Sequence, residues 1–289
     1  MRMVPDLMDL AFDYLKKKMQ SIGINCAGYK DDFLKRRLEG RMRSLGITSY
    51  ADYAYYLGKH PSEFNDLHDA LTINVSEFFR DVPAWDALRR DILPALVKEK
   101  LVTGKRELKV WSAGCADGEE PYTHAILILE TLMYLSKSFK IEVLGTDIDL
   151  PSLNRARKGT YSSARLKLVS KSILQRHFLR NRDGTMTVSQ TVRDLVTFKP
   201  HNLFTPPQSN DFDIISCRNV IIYFSRELQE QLLQNFYRAL VPGGFLFLGK
   251  VETLVGDVAP LFTSVNLAER IYRKSSTPVK VALGAYPAR

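Results

Sequence analysis

Cysteine is scarce in this 289-residue chain. Only Cys26, Cys115 and Cys217 occur, far apart and without Cys-x-x-Cys spacing. An odd, dispersed set excludes a disulfide framework and a structural zinc knuckle, leaving free thiols in a reducing compartment. The five histidines are also scattered, without the His-Glu-x-x-His spacing of a helical metal site, so no metal is expected. No apolar run approaches the roughly 18 residues that cross a bilayer. The first residues, Met1-Arg-Met-Val-Pro-Asp-Leu7, lack the apolar core of a signal peptide, with Asp6, Asp9 and Asp13 breaking it up. A cytoplasmic protein without membrane insertion is expected. No internal repeat or low-complexity tract stands out.

What is present is an ordinary globular composition, 45% hydrophobic and 25% charged, with a net charge of +9. That length is ample for one or two domains. The excess of positive charge admits an acidic partner, whether nucleic acid, membrane surface or protein, and equally a merely basic surface.

Apolar residues recur at helical spacing over 6–20, 31–45, 50–57 and 63–71, and nothing before Thr72 reads as a strand. Residues 1–72 are therefore expected to form an all-helical domain, and 73–106 a linker and ligand-contacting segment. From Glu107 the pattern changes. Apolar strands at 108–113, 141–145, 195–198, 212–216 and 243–249 alternate with helices, the signature of a parallel α/β sheet over 107–274. Residues 160–194 interrupt it: Asp183-Gly184 is a hairpin turn signal, and Thr185–Val188 and Val192–Phe198 are candidate antiparallel strands of a small β insertion. The tail 275–289 is expected to be flexible.

Parallel sheets bind ligands beyond the carboxyl ends of their strands. Trp111-Ser-Ala-Gly-Cys-Ala-Asp-Gly-Glu-Glu-Pro-Tyr122 is a strand, a glycine turn and a helix start. Gly114 and Gly118 permit tight turning and close ligand approach. The paired Glu119 and Glu120 at the helix start oppose phosphate and suit a cationic group such as an amino-acid ammonium. The third glycine of the dinucleotide fingerprint is missing, which disfavours NAD; a purely structural turn fits as well. Asp147, in Thr146-Asp-Ile-Asp149, suits ribose hydroxyls, with Asp149 a helix cap before Pro151. Asn202-Leu203 and Asn219-Val220 follow strands, where asparagine can read a ligand edge or simply form a turn. Asn74-Val-Ser76-Glu-Phe-Phe-Arg80 precedes the sheet, and Arg80 suits a ligand carboxylate or a surface ion pair. On helix 31–45, Arg36, Arg37, Arg41 and Arg43 form a basic stripe, either a docking face or a solvated one.

Taken in order, Asn-x-Ser-x-Phe-Phe-Arg, Trp-Ser-Ala-Gly-Cys-x-x-Gly-Glu-Glu-Pro-Tyr, Thr-Asp-Ile-Asp, Asn-Leu and Cys-Arg-Asn-Val-x-Ile-Tyr-Phe resemble the chemotaxis receptor protein-glutamate O-methyltransferases, the CheR family, over about residues 5–273. The resemblance implies a class I (Rossmann-like) S-adenosylmethionine methyltransferase sheet, with an all-helical N-terminal domain and a small antiparallel β insertion. It implies cofactor contacts from Asn74, Ser76, Arg80, Gly114, at least one of Glu119 and Glu120, Asp147 (ribose), Asn202, Leu203, Asn219 and Val220. Tyr223 is implied near the transferred methyl group. The implied product is S-adenosyl-L-homocysteine and the implied partner the cytoplasmic helical domain of chemoreceptors. A receptor tail peptide on the β insertion follows from some members of the family. Ala116-Asp117 departs from the usual Ser-Thr. The implied acceptor, a glutamate with an ordinary pKa of about 4.3, is already ionised at neutral pH and needs no general base. Arg80 and Tyr223 are then expected to orient the reacting groups, and Arg36, Arg37, Arg41 and Arg43 to steer the receptor helix. The competing readings are a nucleic-acid methyltransferase, disfavoured for want of a recognised RNA-binding module, and a non-catalytic module of the same fold.

Overall fold

The computed structural model describes residues 7–22, 24, 26, 28–71, 76–207 and 209–275. Asn74 and the tail beyond Ser275 lie outside the described residues. The chain divides into two bodies, Met1–Ile73 with Tyr223–Glu227, and Asn74–Ile222 with Leu228–Arg289.

The first body is helical: α1 (Leu7–Ser21), α2 (Asp31–Ser44), α3 (Tyr50–Lys59) and α4 (Glu63–Leu71). Each helix buries one apolar stripe, Phe12, Leu15 and Met19 on α1 against Phe33, Leu34, Leu38 and Met42 on α2 and Tyr53 and Leu57 on α3. Ser49 starts α3 by accepting the Asp52 N–H at 3.1 Å.

The second body begins with α5 (Val82–Ala87), a π turn (Leu88–Ile92) and α6 (Leu93–Val102). Trp85, Leu88, Ile92 and Leu93 of this stretch are buried in the core of the α/β body. There follow β1 (Glu107–Ala113), α7 (Glu119–Leu132), β2 (Lys140–Asp147), α8 (Leu150–Lys158), β3 (Thr160–Tyr161), α9 (Lys171–His177), β4 (Phe178–Arg180), β5 (Met186–Val188) and α10 (Gln190–Arg193). Next come β6 (Val196–Pro200), β7 (Phe212–Cys217), α11 (Arg226–Ala239), β8 (Leu240–Leu248), β9 (Phe262–Asn266) and β10 (Ile271–Lys274).

The main sheet has the order β6-β2-β1-β7-β8-β10-β9. β6, β2, β1, β7 and β8 run parallel, and β10 is antiparallel to both neighbours. β7, Phe-Asp-Ile-Ile-Ser-Cys, is buried at every position, as a central parallel strand covered on both faces must be. Connections from β1 run outward through β2 to β6, then reverse to β7. The switch point therefore falls at the carboxyl ends of β1 and β7.

The insertion is a separate three-stranded sheet, β3-β5-β4. The antiparallel partner of β5 is β4, with Leu179 opposite Thr187, and not the segment 192–198. Residues 190–193 instead make the short helix α10, burying Val192, and β6 starts only at Val196 to pair in parallel with Val143 of β2. The β9–β10 hairpin edge carried no clear sequence signal: β9 reads Phe-Thr-Ser-Val-Asn and is largely exposed. Among the described residues no helix is long and apolar enough to cross a membrane.

Candidate functional site

After β1 the chain turns sharply. Gly114 (φ +77°), Ala116 (φ +46°) and Gly118 (φ +93°) all adopt left-handed conformations. A Cβ on Gly114 would lie 2.7 Å from Val220 Cγ2, and one on Gly118 2.8 Å from the Ala156 Cβ, so glycine is required by both conformation and space. The turn is clamped to the end of β2: the Gly114 and Cys115 N–H groups donate to the Thr146 carbonyl at 2.8 and 2.9 Å. Asp147 sits at that end. Its Oδ2 accepts the Ala116 N–H at 2.8 Å and its Oδ1 the Asp149 N–H at 3.0 Å. A carboxylate has room for about four such bonds, so it can accept more. Burial raises the Asp147 pKa while the backbone donors pull it back. Asp149 caps α8 through the Ser152 N–H at 3.2 Å.

The two glutamates that open α7 have different surroundings. Glu120 Oε1 accepts from the hydroxyls of Ser112 (2.8 Å) and Ser216 (2.7 Å), joining β1 to β7. Arg218 Nη1 stands 3.7 Å from Glu120 Oε2, and its Nη2 donates to Asp81 Oδ2 at 2.7 Å. The Arg218 side chain, only 3% exposed, lies over the rings of Phe247 and Trp85. His124 Nε2 lies 2.9 Å from the Ser216 hydroxyl. Burial, reinforced by the Arg218 charge, depresses the His124 pKa to about 3, so the ring is neutral. Glu119 is different. Its side chain is 0% exposed, and neither carboxylate oxygen has a well-aligned hydrogen-bond donor among the described residues, the Ser76 hydroxyl and its own backbone N–H being near but poorly directed. Arg165 Nη1 stands 3.2 Å away as an ion pair. Burial pushes the Glu119 pKa up to about 7 and Asp117 adds to this, while its own backbone N–H, Arg165 and the Ser76 hydroxyl oppose it. A buried carboxylate with so little hydrogen bonding is a place for a cation.

The segment 76–81 is held from several sides. The Phe78 N–H donates to the Arg165 carbonyl at 3.1 Å, and the Phe79 N–H to the Thr123 hydroxyl at 3.4 Å. Arg165 Nη1 donates to the Ser76 carbonyl. Trp85 Nε1 donates to the Arg80 carbonyl at 2.8 Å. Phe79 (φ 57°) and Asp81 (φ 61°), on either side of Arg80, are both left-handed, a strained arrangement of the kind found at ligand sites.

Asn202 forms an Asx turn, its Oδ1 accepting the Phe204 N–H at 3.1 Å, and the preceding His201 N–H donates to the Asp147 carbonyl at 3.0 Å. Leu203 is buried. Asn219 is left-handed (φ 60°), and a residue that the sequence did not single out holds it there. Glu252, buried, accepts four N–H groups: Gly249 (2.5 Å) and Asn219 (3.0 Å) at Oε2, Val220 (2.9 Å) and Ile221 (2.9 Å) at Oε1. Burial raises its pKa and those four donors pull it down. No local pattern betrays Glu252; it lies 33 positions beyond Asn219. Tyr223 belongs to the helical body, where its ring packs 4.8 Å from that of Phe33 and its carbonyl accepts the Lys30 N–H at 2.9 Å.

Asp117, the departure noted in the sequence, is an ion-pair centre. Arg155 Nε donates to its Oδ1 at 2.9 Å, Arg165 Nη2 stands 3.4 Å from Oδ2, and Tyr161 donates to its carbonyl at 2.6 Å. On α2 the expected basic stripe needs one correction. Arg41 donates to Glu63 Oε1 (2.7 Å) and Oε2 (2.6 Å) and to Asp66 (2.5 Å), so its guanidinium is committed within the helical body. Arg37 is half-buried over the Phe33 ring, and Arg36 and Arg43 are exposed.

A parallel sheet with its switch point at β1 and β7, a glycine turn, a strand-end aspartate and a buried carboxylate on the next helix define a Rossmann-like ligand crevice, the class of fold used by S-adenosylmethionine-dependent methyltransferases. Residues 74–271 match the CheR methyltransferase, SAM binding domain, and residues 12–72 the CheR methyltransferase, all-alpha domain. The chain is 32% identical over 247 residues to a chemotaxis protein methyltransferase of Borreliella burgdorferi, covering 84% of this chain and 87% of that protein. To that of Listeria monocytogenes it is 31% identical over 253 residues (88% and 93% covered). To that of Escherichia coli K12 it is 35% identical over 242 residues (81% and 80%). The chain belongs to the CheR methyltransferase family.

Proposed function

We propose that this chain methylates glutamate side chains in the cytoplasmic helical domain of chemoreceptors, giving methyl esters and S-adenosyl-L-homocysteine, and that it acts in the cytoplasm. The observation that carries the reading is Glu119: a fully buried carboxylate at the start of the helix after the glycine turn, with no well-aligned hydrogen-bond donor among the described residues, fits the ammonium of an amino-acid cofactor. Asp147 takes the ribose diol, and Asn202, Leu203, Asn219 and Val220 line the remainder. Arg80, with Asn74 and Ser76 on the same segment, takes the cofactor carboxylate. Gly114 leaves room for the ligand against Val220.

When bound, the cofactor supplies an electrophilic methyl group on a sulfonium sulfur. The residues' work is alignment and exclusion of water. A receptor glutamate arrives ionised, so no proton need be moved. Glu120 is held by Ser112, Ser216 and Arg218 and keeps the ends of β1 and β7 in register rather than meeting ligand. Arg80 and Tyr223 orient the reacting groups. Arg36, Arg37 and Arg43 attract the acidic receptor helix. The three-stranded insertion has β4 at one edge, and a free strand edge suits a receptor tail peptide added as a further strand.

The test is transfer of tritiated methyl from the cofactor to receptor-bearing membranes, followed by release of label as volatile methanol in mild base. Release is expected. Arg80→Ala and Tyr223→Phe are expected to lower turnover at unchanged melting temperature. Label that stays fixed in base, or full turnover in both variants, would overturn these assignments.

A further inference from the structure

We propose that Arg165, on the 3-10 turn Ser163–Leu166 that follows β3 within the β insertion, is a positioning residue that keeps Glu119 charged for the cofactor ammonium. The proposal rests on the reading of Glu119 given above. Arg165 makes three kinds of contact on one side of the site. Its guanidinium pairs with Glu119 at 3.2 Å, pairs with Asp117 at 3.4 Å and donates to the Ser76 carbonyl. Its own carbonyl accepts the Phe78 N–H. One residue thus ties the segment bearing Arg80 to the carboxylate that receives the ammonium. Asp117 explains why the arginine stays in place when a second cation enters. It holds Arg165 and Arg155 together, so Arg165 need not leave as the ammonium arrives. A threonine at 117 could not do this.

Among the described residues the titratable and polar groups facing Glu119 are few. They are Asp117 and Cys115 from the turn, Tyr161 from β3, the Ser76 hydroxyl and Arg165. Burial keeps the Cys115 thiol and the Tyr161 phenol neutral, so neither titrates near neutral pH. Glu119 itself, pushed up to about 7, does. Arg165 is the cation that opposes this rise.

An opposite charge at this distance lowers a carboxyl pKa by one unit or more, and with Arg165 33% exposed the lower end applies. Losing it moves Glu119 up by about one unit. If only the ionised form binds, product affinity in Arg165→Ala falls about ninefold at pH 6 and about fivefold at pH 7, and nearly matches wild type at pH 8.5. Arg165→Lys keeps the charge and should restore most of the loss at pH 7. The experiment is calorimetric titration of S-adenosyl-L-homocysteine into the full chain and these variants from pH 6 to 8.5, with Glu119→Gln in parallel. A deficit that closes with rising pH and is rescued by lysine supports the proposal. A deficit constant across pH, or none, overturns it while leaving the Glu119 reading intact if Glu119→Gln binds weakly. Unchanged binding by Glu119→Gln overturns that reading, and this proposal with it.

Discussion

Replacing Glu252 by glutamine changes no shape and little volume, yet it should weaken both the fold and cofactor binding. Each carboxylate oxygen accepts two backbone N–H groups, Gly249 and Asn219 at one and Val220 and Ile221 at the other. A glutamine offers one oxygen. Whichever way it flips, its NH2 faces two N–H donors in a buried site, and two charge-assisted bonds are lost. At about 1.5–3 kcal/mol each, the cost is about 3–6 kcal/mol. Typical domain stability is about 5–15 kcal/mol, so this is a large fraction. For a body of this size, each kcal/mol lowers the melting temperature by about 2–4 °C, predicting a fall of at least about 6 °C. Asn219 is held left-handed at φ 60° by this anchor, so the loop carrying Asn219 and Val220 should loosen and product affinity should fall with it. The assays are thermal unfolding, amide exchange at 219–221 and calorimetry with S-adenosyl-L-homocysteine. An unchanged melting temperature with unchanged exchange at those amides would refute the reasoning.

Gly114→Ala places a methyl 2.7 Å from Val220 Cγ2 at a left-handed position; cofactor affinity measured by calorimetry should drop at least tenfold, and wild-type affinity would show that the turn yields. Arg41→Ala strands Glu63, whose side chain is 3% exposed, and should destabilise the helical body by about 2–4 kcal/mol in urea unfolding at pH 7. Burial raises the Glu63 pKa, but Arg41 and Tyr53 outweigh it and hold it below its ordinary value. Its contribution is therefore present above about pH 4.5 and lost as pH falls through the lowered folded value, so the gap between wild type and Arg41→Ala should shrink in acid. Charge reversal at the exposed Arg36 and Arg43 should leave stability within about 0.5 kcal/mol. The same change should flatten the dependence of initial methylation rate on salt, and a wild-type salt slope would remove α2 from receptor docking.

The parts of the site that came from local chemistry were legible in the sequence. A glycine turn after an apolar strand, an aspartate pair ending the next strand, and asparagines after two others each carry a backbone signal within a few residues. The main strands were legible because buried parallel strands are continuous apolar runs. What escaped depends on distant pairing. Glu252 acts on three amides more than thirty positions away, those of Asn219, Val220 and Ile221. Arg165 looks like a surface residue until the insertion folds it onto Asp117 and Glu119. Arg41 reads as one more cation on a stripe, and only the packing of α2 against α4 hands it to Glu63. The strands β9 and β10 are short, and β9 at the sheet edge is largely exposed, so neither alternation nor continuous hydrophobicity marks them.

The central claim is a methyl ester on a receptor glutamate. It is tested most directly by incubating the chain and cofactor with a chemoreceptor, digesting the receptor and locating the modification by fragment mass spectrometry. A mass gain of one methylene on glutamate side chains of the cytoplasmic helices is expected, removed by mild base and absent with Arg80→Ala. A receptor that stays unmodified, or a methyl group on any other side chain, would contradict it.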